Sequence, residues 1–293
     1  MAVSNLGKPA WLKIAPPTTE SFSGIKQIIS EKKLHTVCQE AHCPNMSECW
    51  SGGTATFMVM GDTCTRGCRF CAVKTAAKGQ PLDPNEPRNL AKAVGEMGLD
   101  YVVITSVDRD ELPDQGAGHF AKCIEELHKQ APDVLVEVLI PDFRGDANLI
   151  KTIIDAKPTV IAHNIETVKR LQRTVRDGRA NYEQSLKVLR TVKEMNPRIY
   201  TKSSIIVGFG EKSEEIIETM KDLRQNKVDI VTLGQYLRPS DWHVQVSEYV
   251  TPETFKFYEQ KGEEIGFMYV ASGPFVRSSY KAGELFVKGV AKT

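Results

Sequence analysis

Seven short, β-rich apolar runs separated by helix-like segments constrain this chain more than any other feature. The runs lie at 54–60, 101–106, 134–140, 159–163, 203–207, 230–236 and 267–271. Between them the apolar residues recur at helical spacing. Over 181–195 these are Tyr182, Leu186, Leu189, Val192 and Met195, and Pro197 ends the run. Thr251-Pro252 supplies an N-cap followed by Pro in the first helical turn, and Gly266 suits the far end of the same helix. Ser213 is expected to cap a helix running towards Asn226. Strand–helix alternation repeated about six times implies a parallel sheet covered by helices.

Such a sheet is either doubly wound or curled into a barrel. The doubly wound dinucleotide fold has a glycine fingerprint, and Gly208-Phe209-Gly210 continues as Glu211-Lys212-Ser213 without the third glycine. The expected fold is therefore α/β, a partial (β/α) barrel of about six units with extensions at both ends. Residues 1–49 read as an N-terminal extension, 50–267 as the core domain and 268–293 as a C-terminal extension.

With 38 Lys+Arg against 37 Asp+Glu, the net charge of +1 argues against a large phosphate-neutralising surface, so no nucleic-acid partner is expected. No apolar stretch approaches the ~20 residues of a membrane span. Residues 1–30 have neither the apolar core of a signal peptide nor any Arg, so the expected compartment is the cytoplasm.

In a reducing compartment the cysteines gain another meaning. Six of the seven form two triads, Cys38-x4-Cys43-x5-Cys49 and Cys64-x3-Cys68-x2-Cys71. The second triad follows the first core strand, at the carboxyl end of the sheet where barrel enzymes keep their chemistry. Structural zinc takes four protein ligands in a closed site, usually as paired Cys-x2-Cys knuckles. Three close cysteines leave one coordination position open, which favours an iron–sulfur cluster. The first triad fits neither a zinc knuckle nor a common ferredoxin run, and its fourth ligand must come from elsewhere. Cys123, in a helix-like segment beside Ile124 and Leu127, reads as a buried apolar thiol rather than that ligand.

The second triad, with Phe70 before its last cysteine, resembles the signature of the radical S-adenosylmethionine (SAM) superfamily. Together with the first triad and the terminal Arg277-Ser278-Ser279-Tyr280, it closely resembles the lipoyl synthase family, from Cys38 to Tyr280. That resemblance implies two 4Fe–4S clusters with SAM as cosubstrate. Cys64, Cys68 and Cys71 would hold the cluster whose open iron chelates SAM. Cys38, Cys43, Cys49 and Ser279 would hold an auxiliary cluster that serves as the sulfur source. A serine alkoxide is harder and more basic than a thiolate, so protonation releases it more readily, which suits a cluster that is taken apart.

The implied reaction inserts one sulfur at each of carbons six and eight of a protein-bound octanoyl-lysine. Those hydrogens have no acidifying neighbour, so acid–base chemistry offers no route and a radical is required. Implied partners are octanoylated lipoyl carrier domains (2-oxoacid dehydrogenase E2 subunits and the glycine cleavage H protein), a ferredoxin- or flavodoxin-type reductant, and an iron–sulfur carrier that rebuilds the auxiliary cluster. Candidate SAM contacts at strand ends are Thr105, Ser106, Asp108, Asn164 and Glu166, with Ser203 on a later strand. Asp108, Asp110, Glu111 and Asp114 read as a solvated acidic loop rather than a Mg²⁺ site. Arg170, Arg173, Arg176 and Arg179 read as a solvated charge run, with an acidic carrier or the SAM carboxylate as alternative partners. Two other functions are carried alongside: a tRNA methylthiotransferase type of radical SAM enzyme, and a two-cluster iron–sulfur electron carrier.

Overall fold

A computed structural model describes residues 7–12, 20–41, 43, 45–51 and 56–279. All seven predicted runs become strands of one eight-stranded sheet. They are β2 (Thr56–Val59), β5 (Tyr101–Ser106), β6 (Leu135–Leu139), β7 (Val160–Ala162), β8 (Tyr200–Val207), β9 (Ile230–Gln235) and β10 (Tyr269–Gly273). A short strand from the N-terminal segment, β1 (His35–Thr36), pairs antiparallel with β2, and the other neighbours are all parallel. A separate two-stranded ladder joins β3 (Thr63–Cys64) to β4 (Lys74–Thr75). The strand order β1-β2-β5-β6-β7-β8-β9-β10 follows the sequence, and among the described residues β10 pairs back onto neither β1 nor β2, so the sheet curls without closing.

Six β/α units result. The crossovers run through α4 (Glu86–Glu96), α5 (Ala117–Gln130), α6 (Ala147–Asp155), α8 (Tyr182–Met195), α9 (Ser213–Gln225) and α10 (Pro252–Ile265), with a single turn, α7 (Gln172–Val175), before α8. The N-terminal segment adds α1 (Glu20–Glu31), α2 (Val37–Glu40) and α3 (Met46–Ser51). Strands such as Thr56–Val59 and Ile230–Gln235 are buried at every position, as expected of a parallel sheet covered on both faces.

Local chemistry sets the helix ends. Asn181 accepts a hydrogen bond from Gln184 N at 2.8 Å and starts α8. Thr251 does the same for α10 through Thr254 N at 3.3 Å, and Gly266 ends it with φ of 93°. The α9 cap lies one residue earlier than predicted. Lys212 is the N-cap, its N–H donating to Glu215 Oε2 at 2.8 Å, so Ser213 is the first helical residue. The Gly208–Gly210 turn binds its own anion: the N–H groups of Gly208 and Phe209 both donate to Glu211 Oε2 at 3.0 Å.

Near the amino ends of the strands, Lys202 on β8 meets Glu137 on β6 at 2.7 Å, and Tyr101 on β5 donates to the same carboxylate. Both charges are fully buried, so each needs the other. The carboxyl ends remain for the site. Beyond β10 the chain turns across them as a strap, 274–279. The predicted boundary at 267/268 falls just short of β10, which belongs to the sheet, so the sheet ends at Gly273. Among the described residues no helix is long and apolar enough to cross a membrane.

Candidate active site

Met60, just past β2, has φ of 69°, a backbone state that a non-glycine residue holds only when its surroundings impose it. Its N–H lies 3.1 and 2.9 Å from the two Glu86 oxygens, and its carbonyl accepts from Arg109 Nη1 at 3.1 Å. His119 braces Glu86 at 2.6 Å, with Cys123 close by, their ligand atoms all within 4.8 Å of one another. The carboxylate is already taken up by Met60 and His119, so the cluster reads as a brace for the turn, with Cys123 fully buried against it. This turn launches the loop that carries Cys64, Cys68 and Cys71.

Arg66, between the first two of these cysteines, is only 4% exposed. It forms two bidentate pairs, to Asp110 at 2.8 and 2.9 Å and to Asp142 at 2.7 and 2.8 Å, and its Nε lies 3.4 Å from Asp108. Asp177 accepts from Gly67 N at 2.8 Å and is gripped in turn by Arg179 at 2.8 Å. The loop is thus caged by segments following β5, β6 and α7. The acidic group is therefore no solvated loop: Asp110 and Glu111 pair with arginines, and Asp114 accepts from Gly116 N and Gly118 N at 3.0 Å. The arginine run is corrected too. Arg173 is exposed and Arg170 pairs with Glu215 at the surface, but Arg176 is buried in the cavity wall and Arg179 belongs to the cage.

Backbone donors already face the sulfurs. Arg66 N and Asp108 N each lie 3.4 Å from Cys64 Sγ, and Asp177 N lies 3.3 Å from Cys68 Sγ. Burial pushes all three thiols up to about 12, so each holds its proton until a metal displaces it. Among the described residues, neither triad brings all three sulfurs within 4.8 Å of one another. A single tetrahedral zinc would need them about 3.8 Å apart.

The first triad is wound on the N-terminal segment. Cys43 N donates to Cys38 O at 3.0 Å, and Cys49 N to Asn45 O at 2.9 Å. Asn45 Nδ2 then bonds Phe275 O at 2.6 Å, tying this segment to the strap. On the other side the strap rests on Gly234 of β9, where a Cβ would meet Val276 O at 1.9 Å, so only glycine fits. The result is one cavity of about 630 Å³ lined by Cys64, Cys68 and Cys71 together with Cys43 and Ser279. Cys38 and Cys49 stand outside the lining, and Tyr280 lies outside the described residues.

Of the six candidate SAM contacts, Thr105, Ser106, Asp108, Asn164 and Glu166 line this cavity. Ser203 does not: it is fully buried with its hydroxyl accepting from Ile165 N at 3.0 Å, and its neighbour Ser204 faces the cavity instead. Ser106 Oγ, Asn164 Oδ1 and Glu166 Oε2 are buried without a hydrogen-bond partner among the described residues. Unmet polar atoms aimed into a cavity fit a polar cosubstrate such as SAM. Glu166 has φ of 67° and is held by β8 on both sides, its N–H to Ser204 O at 3.0 Å and its O from Ile206 N at 2.7 Å. Burial raises its carboxyl to about 7, against the pull of Arg176. Burial likewise lowers His163 to about 4, and the ring bonds Ile140 O and Ser185 Oγ at 2.9 Å.

Sequence reasoning missed Arg66, Asp142, Asp177 and His163 as parts of this site, and gave Arg176 a SAM carboxylate only as an alternative to a solvated charge run. Arg66 lay between two singled-out cysteines and His163 at a strand end, which were the available signals. The others became visible only when distant loops met.

The comparisons agree with this geometry. The chain matches the Radical SAM superfamily over residues 58–223 and the N-terminal domain of lipoyl synthase over residues 3–43. A lipoyl synthase from Anaeromyxobacter dehalogenans is 58% identical over 282 residues, 96% of this chain and 96% of that relative. One from Halobacterium salinarum is 59% identical, covering 99% of this chain and 94% of the relative. A chloroplastic lipoyl synthase from Arabidopsis thaliana is 56% identical, covering 98% and 74%. Among solved structures, the FeFe-hydrogenase maturase of Carboxydothermus hydrogenoformans superposes with a TM-score of 0.56 at 13% identity, covering 92% of this chain and 78% of that one. Methylornithine synthase gives 0.55 at 13%, covering 89% and 81%. At such identities these structures speak for the fold alone. The relatives above half identity speak for more, and favour neither the RNA-modifying nor the electron-carrier alternative. The chain belongs to the lipoyl synthase family of the radical SAM superfamily.

Proposed function

We propose that this sulfur-inserting enzyme holds two 4Fe–4S clusters on the ligand sets Cys64, Cys68, Cys71 and Cys38, Cys43, Cys49, Ser279. The observation that carries this reading is the single cavity that joins the second triad to Cys43 and Ser279. When bound, the cofactors supply a 5′-deoxyadenosyl radical from SAM and sulfur from the auxiliary cluster.

The chain's own part is placement. Asn164 and Glu166 orient SAM through their unmet oxygens, with Ser106, Thr105 and Asp108 at the end of β5, two strands away, and Arg176 as a fixed cation. His163 stays neutral at working pH and holds the wall behind them. Val73, Val107, Leu139 and Ile140 line the same cavity and sheath an octanoyl chain, keeping water from a carbon radical. Alignment of one hydrogen, then of one sulfide, against the reacting carbon is where such a site gains its rate. In this reading residues 1–49 carry three auxiliary ligands, 50–267 the SAM-binding core, and 268–293 the last strand and Ser279.

The substrate is an octanoyl-lysine on a lipoyl carrier domain, of the 2-oxoacid dehydrogenase E2 or glycine cleavage H protein kind. A ferredoxin- or flavodoxin-type protein supplies electrons, and an iron–sulfur carrier restores the auxiliary cluster. Free thiols at all seven cysteines suit a reducing compartment such as the cytoplasm.

The test is anaerobic reconstitution followed by incubation with SAM, dithionite and a peptide bearing octanoyl-lysine. A mass gain of two sulfurs with no net change in hydrogen is expected for the dithiol product, and two hydrogens fewer once it is oxidised to the cyclic disulfide. In Ser279→Ala or Cys43→Ala, SAM cleavage should persist while that gain disappears. Appearance of 5′-deoxyadenosine with an unchanged peptide would overturn the substrate assignment.

A further inference from the structure

Arg277 is a cation that the reaction as described leaves unused. It lines the cavity beside Cys43, Ser278 and Ser279 and is half-buried there. Its Nη1 donates to Pro274 O at 3.3 Å and Val276 O at 2.8 Å. Other arginines of the site face carboxylates: Arg66 has three, Arg179 has Asp177 and Asp110, and Arg176 lies in the field of Asp108 and Glu166. Among the described residues Arg277 is paired with none. Burial lowers its pKa, and the Cys43 sulfur is the group that offsets this.

Its position is imposed from two sides. A Cβ at Gly234 would meet Val276 O at 1.9 Å and Arg277 Nη1 at 3.2 Å, so glycine on β9 leaves room for strap and guanidinium alike. Asn45, between Cys43 and Cys49, holds the strap by Phe275 O. A cation half withdrawn from water, with no counter-ion among the described residues, is unfavourable, so this arrangement calls for an anion in the space beside Cys43. A cluster held by three thiolates and an alkoxide carries more ligand charge than core charge, and is that anion.

We propose that Arg277 is the fixed counter-charge of the auxiliary cluster, a positioning residue that retains the cluster beside Ser279 and raises its reduction potential. The proposal rests on the ligand set Cys38, Cys43, Cys49 and Ser279. Charge near a cluster is one of the determinants of its potential, which makes the effect measurable without turnover.

The experiment uses the full chain carrying Cys64→Ala, Cys68→Ala and Cys71→Ala, so that only the auxiliary cluster loads. Into this background go Arg277→Gln and Arg277→Lys. Iron content, the potential of the cluster and the rate of iron loss to a chelator are then read anaerobically. Arg277→Gln should shift the potential negative and lose iron several-fold faster, with Arg277→Lys restoring both. Iron uptake by the Lys form and none by the Gln form counts equally in favour. A loaded Gln form with the parent's potential and iron-loss rate overturns the proposal, as does a Lys form indistinguishable from Gln. Absence of iron from the parent background removes the ligand set itself, and the counter-charge with it.

Discussion

Arg66 shows how one side chain orders the loop that carries Cys64, Cys68 and Cys71. Its planar fork satisfies two carboxylates at once, and Asp142 is fully buried against it. Lysine has no such fork, so Arg66→Lys keeps the charge but loses the geometry. Arg66→Met, which leaves Asp142 buried without its partner, should cost about 3–5 kcal/mol in denaturant unfolding, with the Lys variant in between. His163 offers a test by pH. Burial, chiefly, holds its folded pKa near 4 against an ordinary 6.5, so the folded state binds fewer protons than the unfolded one. Its contribution is full above pH 6.5 and fades as pH falls towards 4. Stability of the parent should drop over that interval, and His163→Gln should flatten the drop. Neither residue stood out in the sequence, because burial and long-range pairing decide their behaviour and periodicity carries no trace of either.

At the scale of elements the sequence was far more legible, since caps and strand propensities act within a few residues. Thr251 and Gly266 each terminate the helix they were expected to terminate. Thr251→Ala should therefore cost about 1 kcal/mol, seen as a lower melting temperature with cofactor binding unchanged. Ser213 missed by one position because Glu215 reaches back to the Lys212 N–H, a competition that a list of good cap residues does not resolve. The strap was less legible. Arg277-Ser278-Ser279 was recognisable as a motif, yet its path depends on Gly234, some forty residues earlier, and on Asn45 at the other end of the chain. Gly234→Ala places a methyl group 1.9 Å from Val276 O and should lift the strap. On the proposed ligand sets the expected result is loss of about half the iron after reconstitution, with the SAM-cleaving cluster intact in its spectrum.

For the whole molecule, strand–helix rhythm was enough to expect a curled parallel sheet of six units, because period-2 and period-3.6 patterns survive in any single sequence. The meeting of the second triad with Cys43 and Ser279 in one cavity was not legible in spacing, since nothing local relates Cys43 to Ser279. The cavity's apolar character has a global consequence for assembly. With Cys64, Cys68 and Cys71 all pushed up to about 12, each thiol must give up a proton to bind iron. Cluster loading should thus strengthen as pH rises through the neutral range, with up to three protons released per cluster, measurable as pH-dependent iron uptake. The failure of the sheet to close also has a use. One of the proposed ligand sets is anchored in a cage of aspartates and arginines bridging three consecutive loops, while the other is mounted on the two pieces of chain that meet across the seam between β10 and β1, unpaired among the described residues. Parting those two pieces breaks the Asn45–Phe275 bond and no ladder of the sheet. On the proposed ligand sets, a cluster spent as sulfur source is thereby fitted at the joint, where it is replaced without dismantling the frame.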